Sequence, residues 1–397
     1  MRGAIYEGMT TIKASFLRTV GIAAALFAII SIVNGDSKVE STFFSHQIGL
    51  PLLPDIPCKL AGKDAWCQID TGSSMTIVDH RFLPILTPTK NDVAVSDSRG
   101  NQFESAMFDA PTLEIESFKV PINHVAVHDL SRFNSFTGMD HSVILGSDAL
   151  QIGVLLFDFD SDRLAFLKKF EIPINSEWET ADLSISHSVP FVHVSIADRE
   201  YKFLIDTGSN SEIDLSADLF DALVRSDNLR EAKGISSPTV TAGGIAEERE
   251  GEFVSGTLFG HSLKGIQAST TKGPNKFGMG FLYRYNFAID FLRREIHFDY
   301  RESFKETKIG RVLGLTFAFA KGSPFVYDFM SDDETTSPAL AAGLKKGDRI
   351  ARLGSLKNGG INIESIYLFL VKDSPAEIPF EVIRGDSTIK LTLKPLP

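Results

Sequence analysis

The sequence predicts a mainly β protein made of two copies of one unit, forming a pseudo-twofold bilobal body, followed by a small α+β domain. Three observations predict it. Short β-type runs punctuated by glycine recur through residues 41–303, with few stretches of helical period. A hairpin and loop around residue 70 return around residue 206. From about Arg311 the pattern changes and bears no relation to the repeat. At 397 residues the chain exceeds one ordinary domain, and 43% apolar with 23% charged residues supports packed cores over disorder. The expected divisions are 1–35, 41–175, 183–303 and 308–397.

Residues 1–35 read as a targeting segment. Arg2, Lys13 and Arg18 make the start positive, diluted by Glu7, and Val20 to Val33 is apolar apart from Gly21 and Ser31. As a helix that run spans about 21 Å, short of a hydrocarbon core of ~30 Å. Val33-Asn34-Gly35 supplies a cleavage-type ending. Two readings stand: a cleaved signal peptide, or an uncleaved N-terminal anchor as the chain's one tie to a membrane. Both place the body outside the cytoplasm, periplasmic or secreted.

Cys58 and Cys67 flank a predicted hairpin turning at Gly62-Lys63, which sets Cys58 opposite Cys67. A directly opposed, non-hydrogen-bonded pair is close enough for a disulfide, the expected state in an exported protein. Two packed, reduced thiols are the alternative. Two cysteines and nine histidines without ligand spacing give no metal site.

The repeat aligns Asp70-Thr71-Gly72-Ser73 with Asp206-Thr207-Gly208-Ser209, and Cys58–Ile69 with Val194–Ile205. Each hairpin ends in an isoleucine directly before the aspartate. Downstream, Val143-Ile144-Leu145-Gly146 is matched with Phe277-Gly278-Met279-Gly280, setting Gly278 against Ile144. Strand pairs follow in both copies: Leu155–Phe159 with Leu164–Leu167, and Phe287–Phe291 with Ile296–Phe298. In the last domain Leu313–Phe317 opens a β segment and Ser337-Pro338 starts a short helix ending at Gly343. Ile363–Val371 forms a second helix with Ile363, Ile366, Tyr367 and Leu370 on one face. Phe380–Ile383 and Ile389–Leu393 close it as a hairpin.

The doubled tetrapeptide carries the chemistry. Glycine after the carboxylate lets two backbones approach closely. The threonine hydroxyl can brace the partner loop, and the serine hydroxyl can donate to the outer oxygen of its own aspartate. Two carboxylates about 3 Å apart cannot both ionise and share a proton. One then acts as base on a water while the other hydrogen-bonds a carbonyl, without metal, cofactor or covalent intermediate. A lone Asp-Thr-Gly would be weak, since any tight turn can carry it. Two copies after equivalent hairpins make a turn-only reading poor.

These residues, with Ile144-Leu145-Gly146 and Met279-Gly280, resemble the pepsin and retropepsin superfamily of aspartic proteases over about 41–303. The resemblance implies the aspartic-protease fold, two β lobes with a cleft between them and a water bridging Asp70 and Asp206. The short halves are closer to a fused retropepsin pair than to a pepsin. Candidate flap tips are Ser98-Arg99-Gly100-Asn101 and Ala242-Gly243-Gly244-Ile245, with plain hairpin turns as the alternative. The segment 308–397 resembles a bacterial PDZ domain through Leu313–Phe317 and Ser337–Ile350. Such a module adds an extended peptide to a sheet edge beside its second helix. Amides of Gly314, Leu315 and Thr316 would capture a peptide C-terminus; a rigid packing module that buries its own groove is the alternative.

The function expected is an aspartic endopeptidase acting on polypeptides, with the last domain recruiting them. The rival is a non-catalytic peptide-binding scaffold on a degenerate protease body. A net charge of −11 with no basic run excludes nucleic-acid wrapping. There is no nucleophile elbow, phosphate loop or dinucleotide fingerprint.

Overall fold

The computed structural model describes residues 42–47, 53–96, 102–196, 199–232, 238–241, 244–302, 304, 312–320, 322–331, 333–335, 337–357, 359–373 and 375–396. The segment 1–35 expected to act in targeting and the first candidate flap tip lie outside the described residues. The protein is mainly β, with 49% strand against 15% helix. No helix among the described residues is long and apolar enough to cross a membrane.

The first copy of the repeat runs β1 (Asp55–Leu60), β2 (Lys63–Ile69), β3 (Ile77–Asp79), helix α1 (Ser131–Thr137), β4 (His141–Leu145), helix α2 (Ser147–Leu150), β5 (Val154–Asp158) and β6 (Arg163–Leu167). The second runs β7 (Val189–Ile196), β8 (Arg199–Asp206), β9 (Ile213–Ser216), β10 (Lys276–Gly278), helix α3 (Met279–Leu282), β11 (Tyr285–Asp290) and β12 (Glu295–Tyr300). Alternation decides which face of β1 turns inward: Ile56, Cys58 and Leu60 are buried, while Pro57 and Lys59 are exposed. β11, between β5 and β12, is buried along its whole length.

The β1–β2 hairpin turns one residue earlier than expected. Leu60 pairs with Lys63, leaving Ala61 (φ 50°) and Gly62 (φ 77°) as the turn. A two-residue turn that matches strand twist needs positive φ at both central positions, and glycine takes the second without steric cost. The second hairpin keeps the shifted register, Ile196 pairing with Arg199. Cys58 therefore faces Ala65, with Cys67 diagonal to it on the same face. The disulfide forms across that diagonal, with Cα atoms 5.9 Å apart, and not between directly opposed residues.

The two copies join through β5 and β11, antiparallel, with Leu156 opposite Ala288 and Leu155 opposite Ile289. Counted from Asp158 and Asp290, Leu156 and Ala288 are equivalent residues, so the register is unchanged when the copies are exchanged. Buried apolar side chains from both copies form one continuous cluster, with Phe157 stacked on Phe287 at 4.5 Å.

The last segment has its own core and a sheet ordered β13 (Leu315–Ala320), β14 (Ser323–Phe329), β15 (Arg349–Leu353), β16 (Ile378–Arg384) and β17 (Ser387–Leu393). Helix α4 (Pro338–Ala341) starts as expected, the Ser337 hydroxyl capping it by accepting the Leu340 N–H. Helix α5 (Ile363–Asp373) buries Ile366, Tyr367 and Leu370. β13 is the edge strand, and α1 of the first copy packs against both β13 and α5. Phe136 of α1 meets Tyr327 of β14 edge-on at 5.2 Å, and a Cβ on Gly138 would come within 2.8 Å of the Phe319 ring.

Candidate active site

Each aspartate stands at the end of a strand backed by a parallel neighbour. Ile69 of β2 pairs with Leu145 of β4, and Asp206 ends β8 beside Gly278 of β10. The Asp70 N–H donates to the Leu145 carbonyl at 3.0 Å. This parallel backing sets the true equivalence downstream. A Cβ on Gly146 would meet the Met75 backbone at 2.5 Å, and one on Gly278 would meet the Ser211 carbonyl at 2.3 Å. The counterpart of Gly146 is therefore Gly278, not Gly280, and α2 and α3 begin directly after these two glycines. Ile144 corresponds to Lys276, because Gln68 pairs with the first and Leu204 with the second.

The two loops interlock through their threonines. The Thr71 hydroxyl donates to the Ile205 carbonyl at 2.6 Å and accepts the Thr207 N–H at 3.1 Å. Reciprocally, the Thr207 hydroxyl donates to the Ile69 carbonyl at 2.7 Å and accepts the Thr71 N–H at 3.0 Å. Both threonines are fully buried, so all four bonds are shielded from water. Residues 136 apart in the chain are thereby held loop to loop.

The glycines set the closeness of approach. A Cβ on Gly72 would lie 2.4 Å from Oδ1 of Asp206, and one on Gly208 would lie 2.2 Å from Cγ of Asp70. Each carboxylate thus occupies the space beside the other loop's glycine, and no larger residue fits either position. Asp70 Oδ1 accepts the N–H groups of Gly72 and Ser73 at 2.8 and 3.0 Å, while Asp206 Oδ1 accepts that of Gly208 at 3.1 Å. The serine hydroxyls do not reach the carboxylates as expected. Ser73 Oγ donates to the Met75 carbonyl at 2.7 Å and Ser209 Oγ bonds Ser211 Oγ at 2.8 Å. The nearer acceptors two residues on satisfy them, so Ser73 serves its aspartate through its amide.

Burial, with the Asp206 carboxylate as the second cause, pushes Asp70 up to about 7. Asp206 is surrounded differently. The Lys276 ammonium lies 3.3 Å from Asp206 Oδ2 and 3.2 Å from Asp214 Oδ2, and all three residues are buried. Burial opposes the charge on Lys276, but the two carboxylates overturn this and hold its pKa above the ordinary lysine value. Burial raises Asp214, and Lys276 acts against that rise. Neither Lys276 nor Asp214 was singled out from the sequence. The available signal is an aspartate inside Ile213-Asp214-Leu215; Lys276, which opens its strand directly after Pro274-Asn275, gives none.

The remaining expected sites divide. The described residues flanking each flap candidate are paired, Ser96 with Gln102 and Thr241 with Gly244. Ser98–Asn101, Ala242 and Gly243 lie outside the described residues. Gly314 (φ 74°) has the left-handed backbone glycine favours, its carbonyl accepting the Ser337 hydroxyl at 2.9 Å. Leu315 is fully buried and Thr316 half-buried. The two elements that would flank an added peptide, β13 and α5, are both packed by α1. The one cluster of metal-ligand side chains among the described residues is Asp79, His80 and Asp129. Its buried member, Asp79, already accepts the N–H groups of Arg81 and Leu130 at 3.0 and 2.9 Å.

No protein-family model matches the chain, and no curated protein matches it at a significant level.

Proposed function

We propose that the chain is an aspartic endopeptidase of the pepsin and retropepsin type, with Asp70 and Asp206 as its catalytic dyad across the pseudo-twofold axis of two β lobes. The observation that carries this reading is the reciprocal placement of each carboxylate against the other loop's glycine, locked by the crossed threonine bonds. Two carboxyls so placed favour a single shared negative charge. The ionised one takes a proton from a water whose oxygen bonds to the scissile carbonyl carbon, and the protonated one gives its proton to the carbonyl oxygen. The resulting diol collapses as the C–N bond breaks. The amine nitrogen takes up the proton removed from the water, and a diol hydroxyl returns a proton to the carboxylate that donated. Neither a metal nor a covalent intermediate enters this sequence.

The substrate is an extended polypeptide covered by the two hairpins, and the setting is outside the cytoplasm, reached through the N-terminal segment. A non-catalytic scaffold gives no physical reason to hold two carboxylates against each other's loops. For the C-terminal module, the packing of α1 on β13 and α5 favours the second reading, a rigid support of PDZ-like form, over peptide recruitment. The deciding experiment is incubation with a denatured protein across pH 3–8, with new termini identified by mass spectrometry. The wild-type chain cleaves, and Asp70→Asn and Asp206→Asn do not, although both remain folded. Undiminished cleavage by either variant would remove the dyad from the mechanism.

A further inference from the structure

The dyad sits in a pseudo-symmetric frame, yet its electrostatic surroundings are not symmetric. In the first copy the positions beside the aspartate-bearing strand are Ile144 on β4 and Val78 on β3, both apolar. Their equivalents in the second copy are Lys276 on β10 and Asp214 on β9, which face each other across the β9–β10 pairing. Two apolar positions, Val78 paired with Val143 and Ile144 with Ile77 in the first copy, have thus been replaced by an ion pair, and the cation of that pair also touches one carboxylate of the dyad, Asp206. Among the described residues no cation contacts the Asp70 carboxylate, which is held by the amides of Gly72 and Ser73; Lys276 favours its charge as well, but without contact and as the smallest of the causes acting on it.

The charged groups around Lys276 are few. Asp206 on β8 and Asp214 on β9 lie within 3.3 Å, Asp70 stands across the dyad, and α3 carries no titratable side chain. The other ionisable residues of β8 lie toward its far end, Arg199, Glu200 and Lys202 exposed and Tyr201 half-buried. A buried cation paired with one carboxylate stabilises the ionised form of that carboxylate far more than an exposed one would.

We propose that Lys276, with Asp214 as its counter-ion, fixes the roles within the dyad: Asp206 holds the negative charge and takes the proton from water, while Asp70 holds the proton and donates it to the carbonyl oxygen. Lys276 is buried and touches no reacting atom in this scheme; it is a positioning residue acting through Asp206. The inference rests on the peptidase reading for its catalytic consequence, but the location of the charge can be measured without catalysis.

The test replaces the ion pair by the first copy's own residues, Lys276→Ile with Asp214→Val, which removes the Asp214 charge together with its cation and leaves only the dyad's own charge without a contact cation. Lys276→Arg serves as the conservative control. Asp206 loses its contact cation in the double variant, so the acid limb of the kcat/KM profile moves up by about 1–2 pH units. In Lys276→Arg the limb stays near its wild-type position. A fall in kcat with both limbs unmoved assigns Lys276 a structural role and overturns the proposal. The second measurement is 13C NMR of aspartate carboxyls in the wild-type chain, assigned with Asp70→Asn and Asp206→Asn. At pH 5 Asp206 reports as ionised and Asp70 as protonated; the reverse, or an equally shared proton, overturns the proposal even if the double variant fails to fold. A wild-type chain that cleaves nothing while its carboxyls titrate in this order sinks the peptidase reading and leaves the charge assignment standing.

Discussion

Replacing the Thr71 hydroxyl by a methyl group, in Thr71→Val, tests the interlock that brings the aspartates together. The substitution conserves shape and removes two bonds, the donation to Ile205 and the acceptance from the Thr207 N–H. The lost donation is an ordinary hydrogen bond worth about 1 kcal/mol. The Thr207 N–H is left without its partner in a site closed to water, at a further cost of about 1–3 kcal/mol. The expected loss is about 2–4 kcal/mol, large against a total of roughly 5–15 kcal/mol. Urea unfolding at fixed pH measures it, with Thr71→Ser retaining the hydroxyl and most of the stability. The two substitutions remove no bond in common, so simple addition would predict twice the loss in Thr71→Val with Thr207→Val. A smaller loss is expected, because once one pair of bonds is gone the loops separate and the second pair holds less. Peptide cleavage should fall at least ~100-fold in the single variant, since about 1 Å of displacement between reacting groups suffices for that. A Thr71→Val chain within about 0.5 kcal/mol of wild type, or a Thr71→Ser chain equally destabilised, would refute the account of how the loops are held.

Asp70 makes stability depend on pH in a defined direction. Its folded value of about 7 lies above the ordinary carboxyl value, so its contribution is complete below about pH 4 and is lost as pH rises toward 7. Asp70→Asn should flatten that decline, read as urea midpoints at pH 4, 5.5 and 7; an identical slope would contradict the raised value. The Cys58–Cys67 disulfide closes a separation of nine residues, a loop short enough that its removal costs about 2–3 kcal/mol in the chain-entropy view. Cys58→Ala with Cys67→Ala should therefore melt earlier than wild type, while reductant shifts the wild-type melt and leaves the variant unmoved.

The sequence made the dyad legible because its requirements are local. Asp-Thr-Gly encodes a carboxylate, a bridging hydroxyl and the absence of a Cβ, and its second occurrence 136 residues on supplies the partner. Strand existence was legible for the same reason, since alternation and apolar runs are properties of short segments. Register was not. Ala61 gives no sign that it takes positive φ, so the turn was placed one residue late and the cysteines opposite instead of diagonal. The downstream glycine was misassigned because Gly278-Met279-Gly280 offers two candidates, and only the parallel pairing with β8 chooses between them. Asp158 and Asp290 already held that information. They are separated by the same interval as Gly146 and Gly278, four residues shorter than the interval between Asp70 and Asp206. Lys276 stayed hidden because an isolated lysine reads as solvent-facing until its strand is known to be buried beside Asp206. The serine hydroxyls were assigned by proximity in the chain, and closer backbone and side-chain acceptors claimed them.

The same long-range logic bears on the C-terminal sheet. β13 is an edge strand and by itself would accept an extended peptide. Helix α1 lies against it and against α5, and α1 is anchored at its start and its middle to strands near the dyad. At its start the Leu130 N–H donates to Asp79 at the end of β3. At its middle, the Asn134 side chain accepts the His141 N–H at 3.1 Å and donates to the His141 carbonyl at 3.2 Å. His141 opens β4, the strand whose Leu145 carbonyl receives the Asp70 N–H. A peptide adding to β13 beside α5 would have to lift α1, breaking these bonds and uncovering the Phe136–Tyr327 contact. Each broken bond would cost about 1 kcal/mol, and the exposed aromatic area would add more. Affinity at that edge would be reduced by the whole sum, and lifting α1 would pull on the strand that backs Asp70. The arrangement therefore suits a support that holds β4 in register better than a surface that captures substrate.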